Sequence, residues 1–142
     1  MTGTTNRQGR CLCGQVTYEC TDKPRWRLYC HCQSCRLNTA SPVTAFFGMA
    51  NENWRWTGTT PATFASSPGV TRHFCNQCGT PIAFEAEHYP GEIHFYTASL
   101  ADPTGFEPTG HVHAGEQLDW FGTDDNLARW VGSHGSALLE ET

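Results

Sequence analysis

Apolar and polar residues alternate over QVTYEC (15–20), with Val16, Tyr18 and Cys20 on one side and Gln15, Thr17 and Glu19 on the other. A period of two sends successive side chains to opposite faces of an extended chain, so this stretch predicts a half-buried strand. VTAFFGM (43–49), NWRWTG (53–58), TRHFC (71–75), PIAFEA (81–86) and EIHFYTAS (92–99) predict further strands. GHVHAG (110–115) and QLDWF (117–121) carry weaker versions of the pattern. Turn chemistry separates these runs at Ser67-Pro68-Gly69, Pro90-Gly91 and Asp102-Pro103. Only DDNLARWV (124–131) predicts a helical turn, with Asp124 or Asp125 as its cap. Many short strands with Gly and Pro turns point to a small, mainly β domain.

Length and composition agree with that class. A chain of 142 residues favours one domain and buries about 70% of its unfolded surface. Seventeen aromatic residues supply bulk for a core. There is no internal repeat, low-complexity segment or domain-scale linker. The expected layout is a flexible tail over 1–8, a domain over 9–131 and a C-terminal tail over 132–142. MTGTTNRQGR lacks the apolar run of a signal peptide, and no stretch approaches the roughly 20 apolar residues of a membrane span. The expectation is a cytoplasmic protein, in a compartment where thiols stay reduced.

Charge narrows the partners. The formal charge is −5, and seven thiolates holding two Zn²⁺ would lower it by a further three. Such a protein has no general attraction for nucleic acid or an anionic membrane. Oligomeric state is not legible in the sequence.

Cysteine supplies the candidate chemistry. Seven of the eight fall in clusters: C-x-C at Cys11 and Cys13, C-x-C-x-x-C at Cys30, Cys32 and Cys35, and C-x-x-C at Cys75 and Cys78. Cys20, alone on the apolar side of its strand, reads as a small buried hydrophobe. In extended backbone Cys11 and Cys13 point the same way and can grip one ion. The C-x-x-C turn lets two thiolates converge, with Gly79 closing it and Gly14 serving the first pair. Two such pairs make a saturated four-thiolate site, which is structural. The middle cluster then has three thiolates, and a zinc with three protein ligands keeps one position open for chemistry. Spacing alone leaves other partitions possible. Cys11 and Cys13 can pair with two of Cys30, Cys32 and Cys35, and His31 can supply a fourth valence. Alternation along extended backbone points His31 away from its neighbours, as an outer-shell or solvent-facing residue.

Taken together, CLCGQVTY, CHCQSCR, RHFCNQCGTPI, ASLADP and Trp120 resemble the glutathione-dependent formaldehyde-activating family, which includes the centromere protein V-like domains. The likeness covers about residues 9–121. It implies a small fold of packed antiparallel sheets holding two zinc ions. It assigns a structural zinc to Cys11, Cys13, Cys75 and Cys78 and a catalytic zinc to Cys30, Cys32 and Cys35. The family's named reaction adds glutathione to formaldehyde, giving S-hydroxymethylglutathione, a carbon–sulfur lyase reaction in reverse. The chain departs from the family pattern in three loops. Thr39-Ala40 stands where a Thr-Gly step is usual, Leu100-Ala101-Asp102-Pro103 replaces Leu-Asp-x-Pro, and His113 replaces an aromatic residue.

A co-substrate thiol such as glutathione carries two carboxylates, so Arg36 and Arg72 are candidate partners. His111 and His113 are candidate pocket residues, His111 toward glutathione or substrate. The expected function is a zinc-dependent enzyme that forms or breaks thiol adducts of small electrophiles. The alternatives are a zinc-stabilised binding module without catalysis and a thiol-redox enzyme. The latter needs a reactive cysteine outside the metal sites, and Cys20 alone is spare.

Overall fold

The structure, a computed structural model, describes residues 6–139. In chain order the strands are β1 (Arg7–Arg10), β2 (Thr17–Cys20), β3 (Trp26–Cys30), β4 (Thr44–Ala50), β5 (Trp54–Trp56), β6 (Ala62–Ser67), β7 (Val70–Phe74), β8 (Pro81–Ala86), β9 (Glu92–Tyr96), β10 (Gly110–Val112) and β11 (Ala128–Arg129). One helix, α1 (Gln33–Thr39), lies between β3 and β4. Strands hold 40% of the residues and helices 12%, the mainly β class that the alternation predicts. The chain divides into two compact units. One comprises the residues up to Arg25 with Phe47–Phe106, and the other Trp26–Phe46 with the chain from Glu107 onward.

In the first unit β1, β2 and β5 form an antiparallel sheet in that order. The sequence RQGR offers no apolar side chain, so alternation does not predict β1, whose first two residues fall in the stretch expected to be a tail. Its buried position is Gly9, which lies opposite Tyr18. There the Tyr18 ring fills the space, and a Cβ on Gly9 would stand 2.1 Å from Tyr18 Cζ. Strands β6 to β9 add antiparallel hairpins, and the β6–β7 turn uses Gly69 at φ +76°. Val16, Tyr18, Phe47, Met49, Ile82, Ile93 and Phe95 make the core. Each such side chain contributes about 1.5–3 kcal/mol on burial. Tyr18 stacks on Phe95 with ring centroids 4.0 Å apart, and its hydroxyl pairs with Ser99 Oγ at 2.6 Å, so no polar atom is stranded there.

In the second unit β10 runs parallel to β3 on one side and to β11 on the other. His111 lies opposite Tyr29 and Val112 opposite Cys30. The pleat therefore puts Tyr29 and His111 on one face of this sheet and Cys30 and Val112 on the other. Helix α1 is absent from the sequence expectations because QSCRLNT buries a single residue, Cys35, and shows no apolar stripe. Its start is set by Cys32, whose sulfur accepts the Cys35 N–H at 3.3 Å in the role a Ser or Asp side chain usually fills. Its end is Ala40, in the left-handed region at φ +54°.

Three expectations are corrected here. Residues 124–131 form no helix: Asp125 Oδ1 accepts the Leu127 N–H at 3.1 Å, a local bond that competes with helix formation, and β11 follows. QLDWF forms turns after a short 3₁₀ segment at Ala114–Glu116. Strand β9 ends at Tyr96, and Thr97–Ser99 turn as a 3₁₀ segment. Part of the expected C-terminal tail folds back, with Val131 N–H on Ala137 O at 2.7 Å and Leu139 N–H on Arg129 O at 2.8 Å. Residues 1–5 and 140–142 of the expected tails lie outside the described residues.

Candidate metal centres

The first and last cysteine clusters meet in the first unit. The Sγ atoms of Cys11, Cys13, Cys75 and Cys78 all lie within 4.8 Å of one another. Cys11 and Cys13 are 3.6 Å apart and Cys13 and Cys75 3.8 Å. A disulfide needs about 2.05 Å. A tetrahedron of thiolates at about 2.3 Å from zinc has edges of about 3.8 Å. The spacing fits a metal and excludes a bond between the sulfurs.

Two matching turns produce this convergence. Gly14 and Gly79 sit at φ +81° and +80°, and their N–H groups return to Cys11 O at 3.1 Å and Cys75 O at 2.8 Å. Backbone N–H groups also point at sulfur, Val16 at Cys11 Sγ (3.3 Å) and Gln77 at Cys75 Sγ (3.4 Å). Such donors favour the thiolate form that a metal requires. Thr80 ties the turns together: its Oγ1 accepts the Leu12 N–H at 3.0 Å and pairs with Cys78 Sγ at 3.2 Å. That hydroxyl, with the Thr80 N–H, pulls the Cys78 thiol down to about 5. Cys11 and Cys75 are buried, so the group is anchored in the core.

The middle cluster stands by itself in the second unit. Cys30, Cys32 and Cys35 bring their Sγ atoms within 4.8 Å of one another, with Cys30 and Cys35 3.8 Å apart. No histidine or carboxylate among the described residues joins them. Cys30 ends β3, Cys32 caps α1 and Cys35 is its one buried residue, so the strand end and the first helical turn set the geometry. Hydrogen bonds from the Cys30 and Cys35 thiols hold Cys32 below the ordinary thiol range, and the hydrogen bonds with Cys32 and Cys35, with burial, push Cys30 up.

Other sequence-derived candidates divide between the units. Arg36 follows Cys35 on α1, half-buried, and its buried Nε has no partner among the described residues. Arg72 lies buried in β7, in the unit of the four-cysteine group, where it donates to Ser66 Oγ (3.1 Å) and Tyr96 Oη (3.0 Å) and packs over Phe84. His113 takes a left-handed backbone at φ +54°, with Nδ1 3.5 Å from Glu116 Oε2. Glu116 Oε1 in turn accepts the N–H of Gln33, the first residue of α1, at 3.1 Å.

His111 is fully buried and both its ring nitrogens are engaged: Nδ1 lies 2.8 Å from His31 Nε2, and Nε2 lies 3.1 Å from Asp125 Oδ2. It offers no free nitrogen to a ligand, so the pocket role expected of it is at most indirect. His31 is not solvent-facing either; it is 0% exposed, on the sheet face of Tyr29 and His111. Burial first, then the charges of His111, Arg129 and Arg36, pull His31 down to about 4 against the Asp125 carboxylate. Burial also lowers His111, although Asp125 opposes it. Asp125 also pairs with Arg129 at 3.1 Å. Sequence reading placed Asp125 on a helix and left Thr80 and Glu116 unremarked. Only the His between two cysteines was a visible signal.

A mainly β protein carrying one group of four and one of three converging thiols belongs to a class of folds able to hold metal. The family description "glutathione-dependent formaldehyde-activating enzyme" matches residues 6–116, and the chain belongs to that family. It is 31% identical over 83 residues to an uncharacterized lyase of Schizosaccharomyces pombe (strain 972), an overlap covering 54% of this chain and 56% of that one. The chain thus matches a little over half the length of that relative. In fold it is similar to the crystal structure of a Rhodobacter sphaeroides protein, with a TM-score of 0.56 at 19% identity over 71% of this chain and 91% of that one. No helix among the described residues is long and apolar enough to cross a membrane.

Proposed function

We propose that the protein is a zinc enzyme that makes or breaks the carbon–sulfur bond between a small-molecule thiol and an aldehyde-type electrophile. Glutathione and formaldehyde are the pair the family description suggests. The observation that carries the reading is the contrast in ligand count: four thiols in one group, three in the other, where zinc takes four. Cys11, Cys13, Cys75 and Cys78 would hold a structural zinc, and Cys30, Cys32 and Cys35 a catalytic one. A cation with three thiolates supplies, at its fourth position, a place where a thiol stays deprotonated near neutral pH.

In the synthetic direction the thiol sulfur bonds to the carbonyl carbon, and the thiol proton ends on the carbonyl oxygen, giving an S-hydroxymethyl adduct. The chain's own residues bind and orient the reactants, which is worth several kcal/mol of the barrier. Arg36, next to Cys35 with a buried Nε that has no partner among the described residues, is the residue suited to a carboxylate of the thiol. Arg72 already has a hydroxyl for Nε and another for its Nη1, which favours a structural role. Seven free thiols in metal-like groups suit a reducing, cytoplasmic setting.

Exchange spectroscopy on formaldehyde with glutathione and a panel of other thiols tests the reading. Faster exchange with one thiol, abolished by Cys30→Ser, is the expected result. Exchange unchanged for every thiol would leave a zinc-stabilised binding module as the better description.

A further inference from the structure

The imidazole of His31 stands between two cysteines of the open group, and its hydrogen bonds lead away from them. His31 Nε2 meets His111 Nδ1 at 2.8 Å, and His111 Nε2 meets Asp125 Oδ1 and Oδ2 at 3.2 and 3.1 Å. The chemistry of each junction fixes where protons sit. A carboxylate only accepts, so His111 Nε2 carries a proton. A neutral imidazole has one proton, so His111 Nδ1 is bare and accepts from His31 Nε2–H. His31 Nδ1 is then bare too. It is buried, with no partner among the described residues. The opposite arrangement would set a bare nitrogen of His111 against the carboxylate and bury an N–H with nothing to receive it.

We propose that Asp125 and His111 are positioning residues for the Cys30–Cys32–Cys35 group, acting by fixing the tautomer and orientation of His31. The proposal rests on the reading that this group holds a metal. The mechanical path is short. His31 N–H donates to Val112 O at 3.1 Å, its ring is held on the face away from Cys30, and it is bonded directly to both Cys30 and Cys32 in the chain. Buried and hydrogen-bonded in this way, the ring anchors the backbone of His31, which carries the peptide groups leading to those two thiols. Groups hydrogen-bonded directly to metal ligands change metal affinity about 10- to 100-fold when removed, and this chain, one step further out, should act at the lower end of that range.

Nitrogen NMR of the histidine rings in the zinc-loaded protein tests this directly. The unaltered protein should show His31 protonated at Nε2 and bare at Nδ1, and His111 protonated at Nε2. In Asp125→Leu, of similar shape, no acceptor holds the proton on His111 Nε2, so the rings should no longer be confined to this pair of tautomers and His31 Nδ1 should carry the proton in part of the molecules. Competition with a chelator should then remove one of the two zinc ions about tenfold more readily, leaving the other unchanged. Asp125→Glu should restore both readouts. Arg129→Gln, which breaks the 3.1 Å ion pair but keeps the carboxylate on His111, should leave the tautomers as they are. A protonated His31 Nδ1 in the unaltered protein, or unchanged tautomers in Asp125→Leu, would overturn the proposal. So would altered tautomers with both zinc ions held as before. If the unaltered protein binds one zinc only, the metal reading of the three-cysteine group fails instead, whatever the tautomers show.

Discussion

Cys11, Cys13, Cys75 and Cys78 gather four thiols from two tight turns, each with a glycine near φ +80°, and plant two of the sulfurs in the core. Cys30, Cys32 and Cys35 gather three from a strand end and one helical turn, and the non-glycine left-handed positions among the described residues of that unit are Ala40 and His113, each at φ +54°. The four-thiol group is thus built on turns whose glycines take the left-handed backbone without strain, and it offers the four ligands a zinc would take. The three-thiol group is a valence short and is flanked by strained, non-glycine backbone of the kind that gathers at functional sites. The comparison teaches that here the complete ligand set sits on relaxed backbone and the incomplete one beside strained backbone, as expected if the first serves the fold and the second the proposed chemistry.

The largest effect should come from removing one ligand of each kind. Cys75→Ser should unfold the domain, because structural zinc sites contribute about 10–16 kcal/mol of folding free energy. Cys30→Ser should leave a folded protein with one zinc in place of two and no activity. Metal analysis with circular dichroism reads both, and similar behaviour of the two variants breaks the comparison. Next is Gly79→Ala. Nothing stands within 4 Å of the added Cβ, so the loss is the left-handed backbone penalty alone, about 1–2 kcal/mol. Smaller and opposite in sign is Ala40→Gly, which relieves the same penalty at the end of α1 and should stabilise by about 1 kcal/mol, less the extra freedom of the unfolded glycine. Thermal unfolding should register it as a rise of about 2–4 °C.

Much of this was legible in the chain. Strand β8 runs over Pro81–Ala86, the span that PIAFEA predicts, because its alternation and bounding turns are undisturbed. The four-plus-three division of cysteines, one of several partitions the spacing allows, is the one the Sγ atoms adopt. What escaped was set by partners distant in sequence. Strand β1 exists because Gly9 leaves room for Tyr18, and α1 because the Cys32 sulfur caps it. The burial of His31 depends on His111, eighty residues further on, and on Asp125, whose bond to its own Leu127 N–H replaces the expected helix. Family resemblance identified the clusters but carried no signal for that chain of side chains. The substitution of Gly by Ala at position 40 was visible, and only the φ of +54° gives it an energetic meaning.

The central claim, one closed and one open thiolate site, is tested most directly by cadmium NMR on protein loaded with that metal in place of zinc. Two resonances are expected, both in the range of sulfur-rich coordination. Titration with glutathione should shift one of them, and Cys30→Ser should abolish that one while the other stays. If glutathione shifts neither resonance, or moves both together, the division between a structural and a reactive metal centre is contradicted.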